Sequence, residues 1–405
     1  MTSRVKIAAA CVVTMLLAPA AALASPNPSA SNVSTAVVTG HPALGYNTWY
    51  QYRTAANEAD VLAQAHEMIS TGLVAAGYDT VNLDDGWMTT SRDSSGNLVA
   101  DPVKFPHGMA SLASQLRAMG LKLGMYEAIG TRTCQGYPGS YGHYAQDAAL
   151  FTSWQVDYVK IDACGGYPSG TTESSLAALY TQFGGDLRAD NPYMLYSQEL
   201  PVPYIGTSYF LPAVSSSSKQ SNSWRISPDE YGKFTTVIVR SLNADIHLHA
   251  YAHSGHWNDL DLVLPRSIMP SPSNSAYLTY EQTQLSGWAM EASPILISAD
   301  LASLSAAELA ALKNSDMIAI DASGAQSAKV VVYAHVDAFV KPAEGGTAVF
   351  LVNMGTGIAS AVFTMTQLGL PAVANWRNIW TGRTGTARSI KITLNPGAST
   401  MVIFK

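Results

Sequence analysis

Apolar and polar positions along residues 42–321 fall into a repeated order of strand, loop and helix. Short apolar runs rich in β-branched and aromatic side chains lie at 44–49, 78–83, 121–126, 156–162, 193–196, 223–224, 246–248 and 294–297. Stretches of helical period separate them. The clearest starts at Asn57, where Val61, Leu62, Ala65, Met68 and Ile69 share one face and Gly77 marks the stop. Others span 107–119, 144–154, 173–188, 229–242 and 280–290. Eight such units in about 280 residues predict an α/β fold, a (β/α)8 TIM barrel over 41–323. An open doubly wound sheet is the alternative. The barrel is preferred because no Gly-rich phosphate turn occurs and polar residues gather at the carboxyl end of strand after strand.

Beyond Gly324 the period changes. Apolar runs at 330–333, 347–352, 361–364, 390–394 and 399–404 are spaced by Gly, Pro and Asn turns. They predict a C-terminal antiparallel β-sandwich over 324–405. Its exposed aromatics are few, so structural support is a better expectation for it than sugar binding. The amino terminus reads as a signal peptide over 1–24, with Arg4 and Lys6 before an apolar run too short to span a bilayer and Ala22-Leu-Ala24 as a small-residue cleavage site. A polar leader follows over 25–40 and carries the acceptor sequence Asn32-Val-Ser34. The mature chain is therefore expected to be soluble and secreted, outside the cell or in the periplasm, with no membrane partner.

Composition narrows the function. Charged residues make up 13% of the chain and the net charge is -6, with no basic stripe, which excludes a nucleic-acid partner. Of three cysteines one lies in the signal, leaving Cys134 and Cys164. A lone pair in an exported chain is expected to form one disulfide, worth about 3–4 kcal/mol for a loop of this length.

The chemistry gathers at strand ends. The run Val156-Asp-Tyr-Val-Lys160-Ile-Asp162 is an apolar strand that places a Lys and an Asp on the same face. An ammonium beside a carboxylate keeps it ionised, as a nucleophile requires; an ordinary buried ion pair is the other reading. Asp84 and Asp85 end the second strand and suit sugar hydroxyls, with helix capping or calcium ligation as alternatives. Trp49 ends the first strand and offers a face for a pyranose ring. Asp229 follows Arg225 and Pro228, either as a second catalytic carboxylate or as a helix N-terminal charge, and Asp259 and Asp261 add further acids. His247, His249, His253 and His256 crowd one short span where histidines two apart on a strand can share zinc, but the run lacks a Cys or Glu partner. Two carboxylates across a barrel mouth are what a glycosidase needs.

These motifs resemble the family 27 glycoside hydrolases, the melibiase or α-galactosidase clan. The resemblance rests on Leu44-Gly-Tyr-Asn-Thr-Trp49, Asn82-Leu-Asp-Asp-Gly-Trp87, Lys122-Leu-Gly-Met-Tyr126, Tyr158-Val-Lys-Ile-Asp162-Ala-Cys164, Trp224-Arg225, Asp229, Trp257-Asn-Asp-Leu-Asp261 and Ala292-Ser-Pro-Ile-Leu-Ile-Ser-Ala-Asp-Leu301 in that order. It implies a retaining exo-α-galactosidase that needs no metal or organic cofactor and acts on galactoside oligosaccharides or polysaccharides. Asp162 would be the nucleophile and Asp229 the general acid/base. Trp49, Asp84, Asp85, Tyr126, Lys160, Arg225 and Asp261 would shape the sugar pocket beside the Cys134–Cys164 disulfide. Glu199 and Val202 would set preference at the 2-position, for a hydroxyl over an acetamido group. The negative charge of Asp162 is expected to raise the proton affinity of Asp229. Gly86 departs from the family's Cys, and Tyr46, Glu127 and Leu260 depart from its usual residues. A β-L-arabinopyranoside or isomaltose-type specificity is therefore the alternative within the family, and a non-catalytic sugar-binding barrel the alternative outside it.

Overall fold

A computed structural model describes residues 40–405 apart from 168, 230–233 and 266–273. The signal peptide, the leader except Gly40, and Asn32-Val-Ser34 lie outside the described residues.

Eight parallel strands alternate with helices. The order is β1 (Leu44–Asn47), α1 (Trp49–Tyr52), α2 (Glu58–Ser70), β2 (Thr80–Leu83), α3 (Met109–Ala118), β3 (Lys122–Ala128), α4 (Tyr144–Ser153) and β4 (Tyr158–Asp162). It continues with α5 (Glu173–Asp190), β5 (Leu195–Gln198), α6 (Phe210–Gln220), β6 (Ser223–Arg225), α7 (Phe234–Asp245), β7 (Trp257–Asp259), α8 (Asn274–Glu291) and β8 (Ile295–Ile297). Neighbours pair in sequence from β1 to β7, and β8 returns to β1 with Leu44 opposite Ile295. The ring closes just past β7, where Val263 donates its N–H to the Leu296 carbonyl and accepts from the Ser298 N–H. The strands are only three to seven residues long but almost wholly buried, because helices cover the outside and side chains fill the inside.

Local chemistry sets the start of α2 as the sequence implies, but the helix ends at Ser70, Gly77 instead closes a following 3-10 turn, and Ile69 is exposed. The Asn57 side chain caps α2 by accepting from the Asp60 N–H, and Val61, Ala65 and Met68 are its buried stripe. Such a cap contributes about 1 kcal/mol. Ser305 and Glu308 form a reciprocal capping box on α9 (Ala306–Leu312), which leads through α10 (Ser315–Ala322) to the C-terminal strands.

The seventh strand departs from expectation. Residues 246–248 are turns after α7, and β7 is Trp257–Asp259, fixed by parallel pairing of Ser223 with Trp257. The helix expected at 229–242 is Phe234–Asp245, and no helix among the described residues is long and apolar enough to cross a membrane.

The C-terminal strands are β9 (Lys329–Tyr333), β10 (Val336–Ala343), β11 (Gly346–Asn353), β12 (Ala359–Thr364), β13 (Ala374–Asn378), β14 (Thr384–Ala387), β15 (Ser389–Leu394) and β16 (Ser399–Phe404). Six form one antiparallel sheet, in the order β14-β13-β16-β11-β10-β9, and β12 pairs with β15. Period-two alternation divides the sheet between two cores. Phe339, Phe350, Met401 and Ile403 join the barrel core, whereas Val340, Val349, Leu351, Val402 and Phe404 pack toward Ala361 and Phe363 of β12. β10 carries no clear strand signal in the sequence, because Asp337, Lys341 and Pro342 interrupt its apolar pattern. It is buried along most of its length, and Lys341 Nζ reaches α8 to donate to the Ala289 carbonyl at 2.8 Å.

Candidate active site

The carboxyl ends of the barrel strands surround one cavity lined by Trp49, Tyr50, Asp84, Asp85, Tyr126, Cys134, Gln135, Lys160, Asp162, Arg225, Asp229, Asp261 and Leu262. Roomier clefts open on the C-terminal sheet around Trp376, but their linings contain no carboxylate. The chemistry lies at the barrel mouth, where this fold places it.

Asp162 ends β4 and is almost fully buried. Tyr126 Oη donates to its Oδ2 at 3.0 Å, and the Cys164 N–H donates to Oδ1 at 3.2 Å. Cys134 and Cys164 are disulfide-bonded beside it, with Cys134 Sγ 3.2 Å from Tyr126 Oη. Gly165 permits the crossing of the two loops. Its φ is +91°, and a Cβ there would sit 1.3 Å from the Arg132 carbonyl oxygen. Lys160 shares the strand face with Asp162, but its ammonium pairs with Glu199 at 3.1 Å and approaches Asp84 at 3.9 Å. It therefore acts on Asp162 through space.

Asp84 is held from three sides. Asn47 Nδ2 donates to Oδ2 at 2.9 Å, the Asp85 N–H to Oδ1 at 2.9 Å, and its own N–H reaches Thr48 Oγ1 at 3.0 Å. Asp85 Oδ2 accepts from the Gln135 N–H at 2.9 Å, while its buried Oδ1 has no hydrogen-bond partner. Gly86 explains the first departure from the family pattern, since its φ is +92° and a Cβ would meet Thr54 Cβ at 2.8 Å.

Arg225 organises the opposite wall. Nη1 lies 3.3 Å from Glu199 Oε1, and Nη2 lies 2.9 Å from Asp261 Oδ2 and 3.2 Å from Asp229 Oδ1. Asp261 holds a φ of +84°, a left-handed conformation unusual for a side-chain-bearing residue, with its N–H on Asp259 Oδ1 at 2.8 Å. The Asp229 side chain is 63% exposed.

Charge at the mouth is unbalanced. Among the described residues, Asp84, Asp85, Asp162, Glu199, Asp229 and Asp261 are met by Lys160 and Arg225, with Arg240 adding to the field at Asp229. Protons must make up part of the difference. Burial pushes Asp85 up to about 6, against donors at Gln135 and Thr133. Burial pushes Asp261 up to about 7, against Arg225. Burial and the Glu199 carboxylate raise Asp162 well above the usual range, with Lys160 and Tyr126 opposing. Asp229 moves the other way: despite partial burial, Arg225 and Lys160 hold it below its ordinary value. The expected rise of Asp229 beside Asp162 is thus reversed, because the guanidinium is in direct contact.

Two expected specificity residues lie elsewhere. Glu199 is not part of the cavity lining; it bridges Lys160 and Arg225 beneath it. Val202 opens a short 3-10 turn outside the lining. Conversely, Tyr50, Gln135 and Leu262 line the cavity unforeseen. Gln135 has only its position after Cys134 as a signal, and Leu262 only its place after Asp261. The four histidines do not converge. His256 Nδ1 contacts the Ser221 carbonyl at 2.6 Å, His253 packs on His256, and His249 turns toward Asp245 and Glu291. Cys134 and Cys164, the potential metal donors at the mouth, are joined to each other.

Comparison with known proteins agrees with this geometry. The family model described as alpha galactosidase A matches residues 51–323, and that of the alpha galactosidase C-terminal beta sandwich domain matches 334–404. A probable alpha-galactosidase A of Aspergillus fumigatus is 32% identical over 87% of this chain and 68% of its own length. Alpha-galactosidase A of Cellvibrio japonicus is 30% identical over 86% of this chain and 88% of its own. The crystal structure of alpha-galactosidase I from Mortierella vinacea superposes with a TM-score of 0.77 at 25% identity, covering 93% of this chain and 98% of that one. The chain belongs to the α-galactosidase A family of glycoside hydrolases.

Proposed function

We propose that the chain removes terminal α-D-galactosyl residues from galactosides by double displacement, with Asp162 as nucleophile and Asp229 as general acid/base. The observation that carries this reading is that both carboxylates line one cavity. Asp162 is fixed by Tyr126 and the Cys164 N–H, while Asp229 is on the exposed rim where a leaving group departs. In the first step the Asp162 carboxylate attacks the anomeric carbon while Asp229 gives its proton to the leaving glycosidic oxygen. In the second, ionised Asp229 takes a proton from water, whose oxygen displaces Asp162 from the sugar. The productive state carries one proton on the pair, placed on Asp229. Arg225 favours the opposite placement in the free protein, so the reacting form is the less populated of the two one-proton forms before sugar binds.

Asp84 and Asp85 are assigned to the sugar's 4- and 6-hydroxyls. The unpartnered Asp85 Oδ1 supports this, because a buried acceptor gains most from a hydroxyl that reaches it. Trp49 supplies the apolar face, and Lys160 and Arg225 steady the carboxylates.

The test compares nitrophenyl α-D-galactopyranoside with the β-L-arabinopyranoside and the α-N-acetylgalactosaminide, following the released sugar by proton NMR. Faster galactoside cleavage with the α-anomer appearing first is the expected result. Appearance of the β-anomer first would overturn double displacement. Preference for the arabinopyranoside would keep the mechanism and remove the assignment of a carboxylate to the 6-hydroxyl.

A further inference from the structure

Helices α7 and α8 run toward the end of the barrel opposite the cavity, so their last residues, Asp245 and Glu291, come together near the starts of β7 and β8. His249 follows in the turn after α7. One donor atom from each of the three lies within 4.8 Å of the other two. His249 Nε2 is 2.9 Å from Glu291 Oε2 and 3.7 Å from Asp245 Oδ2. Both carboxylates are fully buried, while the imidazole is 22% exposed.

Close as these atoms are, they do not satisfy one another. Asp245 Oδ2, both Glu291 oxygens and His249 Nε2 make no well-aligned hydrogen bond, although His249, Asp245 and Ser327 all lie close enough to act on the Glu291 carboxylate. Buried polar atoms are nearly always partnered, so four atoms without an aligned partner require an account. The His249 separations of 2.9 and 3.7 Å are in the range spanned by two ligands each about 2.0–2.2 Å from one ion, the ordinary zinc distance to imidazole and carboxylate. Outer support is present as well. Asn258 Nδ2 fixes the other Asp245 oxygen at 2.7 Å, as second-shell donors fix ligating carboxylates.

The surrounding charge favours a cation. Asp321 is also fully buried with neither carboxylate oxygen partnered, and Lys341, whose Nζ donates to Ala289, is the ammonium that acts on both Asp321 and Glu291. Three buried carboxylates therefore face one Lys and a histidine. Uncompensated charge of this kind is costly in a dry region.

We propose that Asp245, His249 and Glu291 form a binding site for a divalent first-row transition ion, zinc foremost, that ties α7 to α8 at the closed end of the barrel. An imidazole donor disfavours calcium and magnesium, whose ligands are oxygens. The site lies at the far end of the strands from Asp162 and Asp229 and takes no part in glycoside cleavage. Carboxylates bind zinc in the deprotonated form, so uptake releases any proton the two acids share.

The experiment strips the full chain with a chelator, titrates zinc calorimetrically, and measures bound metal after gel filtration. One zinc per chain is expected, with proton release and a Tm raised by about 3 °C at zinc 100-fold above Kd. His249→Ala, at the partly exposed position, and the isosteric Glu291→Gln should each weaken zinc at least 10-fold and remove its effect on Tm, with glycosidase turnover unchanged. No zinc retained by the parent chain would overturn the proposal and leave a proton-sharing carboxyl pair. Parent-like zinc binding by His249→Ala would overturn it equally, by placing the ion elsewhere.

Discussion

Arg225 Nη2 lies 3.2 Å from Asp229 Oδ1, a contact that favours the ionised form of Asp229 over that of Asp162, the other carboxylate of the proposed catalytic pair. It holds Asp229 below its ordinary value, while burial and Glu199 raise Asp162. The two sites face one cavity and titrate as a pair. At low pH both are protonated and no nucleophile exists; at high pH both are ionised and no acid exists. Only the one-proton state reacts. The lowered Asp229 sets the acid limb below the usual carboxylate range and the raised Asp162 sets the basic limb above it. The expected kcat/KM profile is a bell with its optimum on the acid side of neutrality. A rate still climbing above pH 7 contradicts this.

Asp162→Asn should lower turnover at least 1000-fold for every galactoside with little change in Tm, because it removes the nucleophile from a site whose packing is unchanged. Asp229→Asn should differ by leaving group. Alkyl galactosides need the proton and should lose about 100- to 10000-fold, whereas a dinitrophenyl galactoside, whose leaving group needs none, should lose far less. On that activated substrate the bell should become a single rise with pH. Its midpoint should fall below the parent's basic limb, since Asp229's negative charge no longer raises Asp162. Equal losses on both substrates speak against an acid role for Asp229.

Much of this site is legible in the sequence because ionisable groups sit where apolar ones belong. Lys160 and Asp162 in an otherwise apolar strand, and Asp84-Asp85 after Thr-Val-Asn-Leu, violate the strand pattern and mark the mouth. β7 was misplaced for the opposite reason. Ile246 and Leu248 look like a strand, but Trp257-Asn-Asp pairs with β6, a tertiary contact that no local pattern records. β10 was hidden because Asp337, Lys341 and Pro342 read as a loop, although most of the strand is buried. Glu199 enters from the sequence only through the family resemblance, as a residue for preference at the 2-position. That it bridges Lys160 and Arg225 depends on the spacing of β4, β5 and β6, which sequence distance does not encode.

The Cys134–Cys164 bridge closes a 30-residue separation and holds two of the groups that orient Asp162. Reduction, or the paired Cys134→Ser and Cys164→Ser change, should cost about 3–4 kcal/mol, which is about 4–5 °C in Tm for a chain of this size. Activity should fall mainly in kcat, because the loops that place Tyr126 Oη and the Cys164 N–H loosen around the nucleophile. Matched kinetics and thermal melts with and without reductant check both parts. A change in KM alone speaks against the positioning role.

Asp85→Asn separates stability from function. Burial raises the Asp85 carboxyl from 3.8 to about 6. An acid raised in the folded state is harder to ionise there than in the unfolded chain. Its penalty is absent below about pH 4, grows between about 4 and 6, and is complete above that. At pH 7 the shift corresponds to roughly 2–3 kcal/mol, which the neutral amide avoids. Asp85→Asn should therefore raise Tm at pH 7 and leave it nearly unchanged at pH 4. The same substitution replaces a charged acceptor for a sugar hydroxyl, worth about 1.5–3 kcal/mol, so kcat/KM should fall about 10- to 200-fold. Melts at the two pH values, with kinetics at pH 7, where Asp85 is ionised, test both arms. A variant less stable at pH 7 than the parent removes the burial argument, and one with parent-like kcat/KM removes Asp85 from the sugar.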